Sequence, residues 1–313
     1  MLTRFFSNLR VESLALAITL SYALASLIWL PAFSVIPDLH TIFGALNLGV
    51  LLVKLLAFIF LPLLATGLNA VLNQVGLIKK NFIALVVINP LMLLGFYYMP
   101  DAGFVVLTAI LVWVCTGLFR LSGNKQIEET LFKGGLLIGL CMIFNPQVWP
   151  LLFVYIIALI AYGAINIRYL LLPFFGTGAF LFNLFVWPYI FGSALDIKSF
   201  TEQLIVQFSG FQELGKSPRF IIFILAVGLA EYLTGLGKAK IVKRQFMGVV
   251  IYNIGLSVIG FIFLKDGNYW IAVCLLFGGI LLSNAINYLQ NKWIRDGLLL
   301  SLIAYVLMVY LTT

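Results

Sequence analysis

The stretch that decides the fold runs from Gly134 to Gly192, GGLLIGLCMIFNPQVWPLLFVYIIALIAYGAINIRYLLLPFFGTGAFLFNLFVWPYIFG. Its one charged residue is Arg168, and it is broken by Asn145-Pro146, by the polar turn around Asn166 and by Pro173. A water-soluble fold has no interior large enough to hide such a run. Crossing ~30 Å of hydrocarbon takes about 20 helical residues, so the stretch reads as three membrane crossings, two of them short.

Applied outward from there, the same ruler gives about eleven spans. They fall near 12–33, 41–72, 81–99, 103–121, 132–145, 147–164, 168–192, 219–237, 246–264, 268–287 and 296–312. The expected fold class is therefore all-α, a polytopic transmembrane helical bundle. Composition agrees: 63% of the 313 residues are hydrophobic and 10% are charged, against about 25% charged in soluble domains. The opening MLTRFFSNLR resembles a secretory leader, but the apolar segment after it is longer than a signal core and is read as an uncleaved first span. Three parts follow in chain order: a membrane module over 1–192, an outer loop over 193–218 with an amphipathic helix in FTEQLIVQF, and a four-span module over 219–313.

The net charge of +8 does not point to nucleic acid, because the basic residues sit between apolar runs and not on a patch with interleaved aromatics. They set orientation instead. With the N-terminus inside, Arg4, Arg10, Lys79, Lys80, Arg120, Lys125, Lys133, Arg168, Lys238, Lys240, Lys243, Arg244, Lys292 and Arg295 are all cytoplasmic, whereas Lys198, Lys216, Arg219 and Lys265 are outside. That bias predicts a cytoplasmic N-terminus and, with eleven spans, a C-terminus on the outer face. Cys115, Cys141 and Cys274 lie in apolar runs and His40 is the single histidine, so neither a disulfide framework nor a histidine-rich metal site is indicated.

Chemistry is sought first where charge meets hydrocarbon. Lys54, about ten residues into the second span, and Glu231, about twelve into the eighth, are at matching depth and can form an intramembrane pair. A clamp between helices is the plain reading, and a substrate or proton role the sharper one. Asp38 and Asp101 each follow a proline at an exit from the membrane, in SVIPDLH and YYMPDAGF. A carboxylate there can serve as general base for an acceptor hydroxyl, and Pro-Asp is equally ordinary turn chemistry. Lys216 and Arg219, where the outer loop re-enters the membrane, suit a lipid phosphate, and flank a span as stop-transfer charges also do. In the inner run LSGNKQIEETLFKGG, Glu129 and Lys133 at i,i+4 support a short surface helix. Gly134, Gly135 and Gly139 beyond it permit close helix packing.

The segment from Lys133 to Gly178 resembles the middle spans of the GT-C superfamily, the multi-spanning glycosyltransferases that use polyprenyl-phosphate sugars. Gly134, Gly135, Gly139, Asn145, Pro146, Arg168 and Pro173 carry the likeness, which extends over the first seven spans. The whole chain is also similar to a family of integral membrane proteins from Bacteroidota with no assigned activity, which shares the basic MLxxFF leader and the LFxGGxxxGxxxxxxP phrase. GT-C enzymes place an essential carboxylate in the first outer loop and often another acid in the second. The resemblance thus implies Asp38 as base, Asp101 as its acidic partner, and His40, Lys216 and Arg219 as phosphate or acceptor contacts. It implies a polyprenyl-phosphate lipid as partner among the membrane lipids and leaves a divalent metal open. The alternatives are a non-catalytic scaffold of envelope biogenesis that docks a partner subunit, and a lipid or solute transporter working through Lys54 and Glu231.

Overall fold

The structure is a computed structural model. It describes residues 6, 11–29, 48–77, 81–121, 126–144, 146–191, 226, 229–230, 241–263, 268–289 and 291–311. All regular structure among these residues is helical. In chain order the helices are α1 Val11–Ala25, α2 Leu48–Val75, α3 Ile83–Tyr98, α4 Ala102–Leu121, α5 Ile127–Phe144, α6 Leu152–Tyr162, α7 Ile167–Phe191, α8 Ile241–Phe263, α9 Asn268–Tyr288 and α10 Lys292–Leu311. Short 3-10 segments at Ser26–Trp29 and Pro146–Leu151 lead out of α1 and into α6.

Among the described residues five helical stretches are long and apolar enough to cross a membrane: Leu52–Val75, Ile167–Val186, Lys243–Phe261, Trp270–Tyr288 and Lys292–Leu311. Others are apolar but shorter. The 16 residues of α3 and the 11 of α6 span roughly 24 and 16 Å. The expected span at 219–237 lies outside the described residues apart from Ala226, Leu229 and Ala230, as does the outer loop at 193–218. One expectation is corrected outright: the surface helix around Glu128 and the span at 132–145 are one continuous helix, α5. No breaker separates Lys133 from Phe144, so hydrogen bonding carries straight through from the charged turn to the apolar one.

Helix starts follow a simple rule. Asn81 Oδ1 accepts from the Ile83 N–H at 3.2 Å, Asp101 Oδ1 from Phe104 N–H at 2.6 Å, Asn166 Oδ1 from Arg168 N–H at 3.0 Å and Asn291 Oδ1 from Trp293 N–H at 3.0 Å. Each satisfies one of the orphan donors of a helix's first turn. Gly163, at φ 69°, closes α6, with its N–H bonded to the Ile160 carbonyl and that of Ala164 to the Leu159 carbonyl.

The chain divides into two compact units that interleave in sequence. The first comprises Met1–Ala109, Lys216–Lys238 and Leu275–Thr313; the second Ile110–Gly215 and Ala239–Cys274. Both draw on chain from either side of 192 and 218, so the parts expected in chain order do not coincide with them.

In the first unit α3 is the hub. Every residue from Ile83 to Phe96 is buried, as expected of a helix apolar on all faces. α1, α2 and α10 pack on it. Its neighbours are also tied to it by side-chain hydrogen bonds. Asn89 Nδ2 donates to the Ser21 carbonyl of α1 at 3.1 Å, Asn73 of α2 bonds Asn81 just ahead of α3, Asn81 Nδ2 donates to Asn287 Oδ1 of α9, and the Tyr310 hydroxyl of α10 donates to the Leu93 carbonyl at 2.8 Å. Between apolar helices in lipid such bonds fix register, each contributing about 0.6 kcal/mol.

In the second unit α5 and α7 approach backbone to backbone. A Cβ on Gly135 would lie 2.0 Å from the Pro173 carbonyl oxygen, and one on Gly176 2.2 Å from that of Phe132. Gly139 faces the Phe180 side chain, and Gly134 lies under the Tyr155 ring. The glycines of the 134–139 run thus do permit close packing. Thr177 Oγ1 seals the contact by donating to the Gly135 carbonyl at 2.8 Å. Phe246 of α8 meets Phe119 and Tyr162 edge-on, with centroids 5.3 and 5.7 Å away.

Candidate functional site

The described residue with the most chemical promise is Asp101, in the turn between α3 and α4. Pro100 is exposed and Asp101 half-buried, so the turn lies at an edge of the first unit. The carboxylate accepts the Phe104 N–H through Oδ1, and the Asp101 backbone N–H donates to the Met99 carbonyl at 2.9 Å, which fixes the turn. Gly95 makes room for this arrangement, since a Cβ there would come within 2.6 Å of the Phe104 ring. Phe104 in turn meets Phe96 edge-on at 6.1 Å.

Tyrosines surround the same end. Tyr97 stacks edge-on against Tyr98 at 5.3 Å and against Tyr310 at 5.2 Å, and Tyr98 is hydrogen-bonded to Tyr305. Tyr97, Tyr98 and Tyr305 are half-buried, whereas Tyr310 is buried with its hydroxyl spent on Leu93. Four phenol rings from α3 and α10 thus gather about the end of α3, whose Tyr97 and Tyr98 precede Asp101 by four and three residues. Aromatic faces of this kind suit the apolar faces of a sugar ring, and they also suit a membrane interface, where tyrosine concentrates. Sequence reading passed over these tyrosines. The signal was the doubled Tyr97-Tyr98 ahead of Pro100-Asp101, but nothing in sequence brings Tyr305 and Tyr310 to it.

The other expected site residues fare differently. Asp38, His40, Lys216, Arg219 and Glu231 lie outside the described residues. Lys54 is half-buried in α2, six positions after Leu48. Among the described residues no acidic group pairs with Lys54. The ion pairs seen are Lys133–Glu129 within α5 and Arg168–Glu128 at 3.1 Å between the starts of α7 and α5, all four side chains well exposed. Among the described residues no group of three or more His, Cys, Asp or Glu side chains comes together. A divalent ion near Asp101 would need Asp38 and His40 as further ligands.

Residues 42–313 match the family of unknown function DUF6427. The chain belongs to that family. No curated protein and no solved structure matches it. The DUF6427 match takes in Asp101 with all four tyrosines, and also Lys54, Lys216, Arg219 and Glu231, whereas Asp38 and His40 precede it.

Proposed function

We propose that the protein is a bacterial inner-membrane protein of about eleven spans, N-terminus cytoplasmic and C-terminus periplasmic, with a GT-C-like core in its first seven. Its activity in this reading is the transfer of a sugar from a polyprenyl-phosphate carrier to an acceptor at the periplasmic end of the first unit. The observation that supports it is the Asp101 carboxylate, fixed in the turn after α3, with Tyr97, Tyr98, Tyr305 and Tyr310 gathered about the end of that helix.

The chemistry is simple to balance. The acceptor hydroxyl gives its proton to a carboxylate, its oxygen bonds to the anomeric carbon, and the bond from that carbon to the phosphate oxygen breaks. The polyprenyl phosphate leaves with the electron pair. In this reading Asp38 is the base, Asp101 its acidic partner, and Arg219, Lys216 and His40 the contacts that hold the phosphate. Half-buried tyrosine rings would stack on the sugar and fix its orientation.

A non-catalytic role in envelope assembly is the second reading, and the capping bond from Phe104 N–H to Asp101 favours it, since a purely structural turn residue makes that same bond. The two readings separate at Asp101→Asn, which keeps a capping oxygen and removes the carboxylate. With the intact protein in lipid nanodiscs and a polyprenyl-phosphate-linked hexose, the transferase reading expects Asp101→Asn to lose at least ~100-fold in transfer at an unchanged Tm. Transfer equal to wild type would leave Asp101 as a cap and nothing more.

A further inference from the structure

The opposite end of the first unit, ~24 Å along α3, carries a second polar cluster, made of asparagines. Its outer layer is closed on itself. Asn73 Nδ2 donates to the Asn81 carbonyl at 2.9 Å, and Asn73 Oδ1 accepts the Asn81 N–H at 3.2 Å. Asn81 Nδ2 donates to Asn287 Oδ1, and Asn287 Nδ2 to the Ser283 carbonyl at 2.8 Å. One turn deeper lie Asn69 and Asn284, 3% and 7% exposed. Each has a buried Oδ1 with no hydrogen-bond partner.

Register places these two at one level. Asn69 is four residues before Asn73 and Asn284 three before Asn287, so each shares a helix face with its bonded neighbour. α9 runs antiparallel to α3, because Asn287 meets Asn81 while Gly279 meets Ile88 and Leu91. α2 returns into α3 through the short connection 76–82, with Asn73 against Asn81. Stepping one turn inward along both helices brings Asn69 and Asn284 to the level of Ala84 and Leu85. A buried amide oxygen left unmet is strongly destabilising, and here two sit at the same depth.

We infer that Asn69 and Asn284 form a buried binding site for a neutral hydroxyl donor held between α2 and α9. The unmet atoms select the ligand: two bare carbonyl oxygens call for hydrogen-bond donors, and a hard cation takes six or more oxygens, usually with carboxylates among them, where two amides are on offer. A neutral O–H group suits both acceptors. It comes either from a buried water, which typically makes about three hydrogen bonds, or from a polyol or sugar. This site is independent of the activity proposed for the Asp101 end.

The test uses Asn69→Leu, Asn284→Leu and the double variant of the full chain in lipid nanodiscs, followed by thermal unfolding. Leucine has nearly the shape of asparagine and no polar group. Each single variant is expected to lower Tm, and the double variant to lower it no further than the worse single one, because both break the same bridge. A rise in Tm on either substitution, as removal of an unmet polar atom gives, or losses that add would overturn the site. Should a leucine variant not fold, Asn69→Ala and Asn284→Ala provide the same additivity comparison. Glucose titrated into the wild type and the double variant distinguishes the sources. Given losses that do not add, a glucose-induced Tm increase in wild type alone identifies a sugar hydroxyl as the donor, and the same response in both proteins identifies water.

Discussion

Two glycines a few ångströms apart in α7 meet opposite demands. A Cβ at Gly176 would sit 2.2 Å from the Phe132 carbonyl oxygen, whereas one at Gly178 meets nothing within 4 Å. Gly176→Ala should therefore destabilise the protein by about 1–3 kcal/mol through overpacking, and Gly178→Ala should stabilise it by up to ~1 kcal/mol through helix propensity. Thermal unfolding in one detergent reads both, and equal effects would contradict the close approach of α5 and α7. That glycines at 134–139 make helix contacts was legible from sequence, because small residues in an apolar run have few other uses. Their partner was not: Pro173 and Gly176 lie some forty residues on, and only the packed backbone shows that they face Gly135. Asp101 divides in the same way. Its capping role follows from Pro-Asp ahead of an apolar run, but two of the four tyrosines at that end, Tyr305 and Tyr310, come from the far end of the chain.

Among whole elements, the α5–α7 pair sets a buried hydrogen bond against an exposed ion pair. Arg168 and Glu128 are 69% and 47% exposed, so Arg168→Ala should change stability by less than about 1 kcal/mol. Thr177 is buried and donates to the Gly135 carbonyl, and Thr177→Val should cost about 1 kcal/mol. Urea midpoints of the two variants provide the comparison, and the reverse order would mean that the helix starts, not the glycine contact, hold the pair. Apolar runs located most of the helices, and Asp101 and the polar turn around Asn166 marked the starts of α4 and α7, whereas Asn81 and Asn291 show their part only in the structure. Lengths were harder to read. α5 absorbs its charged first turn because nothing between Lys133 and Phe144 breaks the helix, and α6 is shortened because Pro146 and Pro150 commit the residues before it to a 3-10 segment. Hydrophobicity registers neither effect.

At the scale of the molecule, burial sorts the long helices. The α9 stretch Trp270–Tyr288 is 94% buried, whereas Ile167–Val186 of α7 and Lys292–Leu311 of α10 are 17% and 22% buried. Apolar faces left open on α7 and α10, with Phe175, Phe182 and Leu300 exposed, are what lipid would cover. The central claim is that the end of the first unit bearing Asp101 and its tyrosines faces the outside of the cell, with the asparagine end toward the cytoplasm. Single cysteines at Pro100 and Asn291, both exposed, test it directly with a membrane-impermeant maleimide on spheroplasts. Cys115, Cys141 and Cys274 are buried and should stay largely unlabelled. The account predicts that Pro100→Cys is labelled at once and Asn291→Cys only after permeabilisation. Labelling of Asn291→Cys in intact spheroplasts, with Pro100→Cys protected, would contradict it.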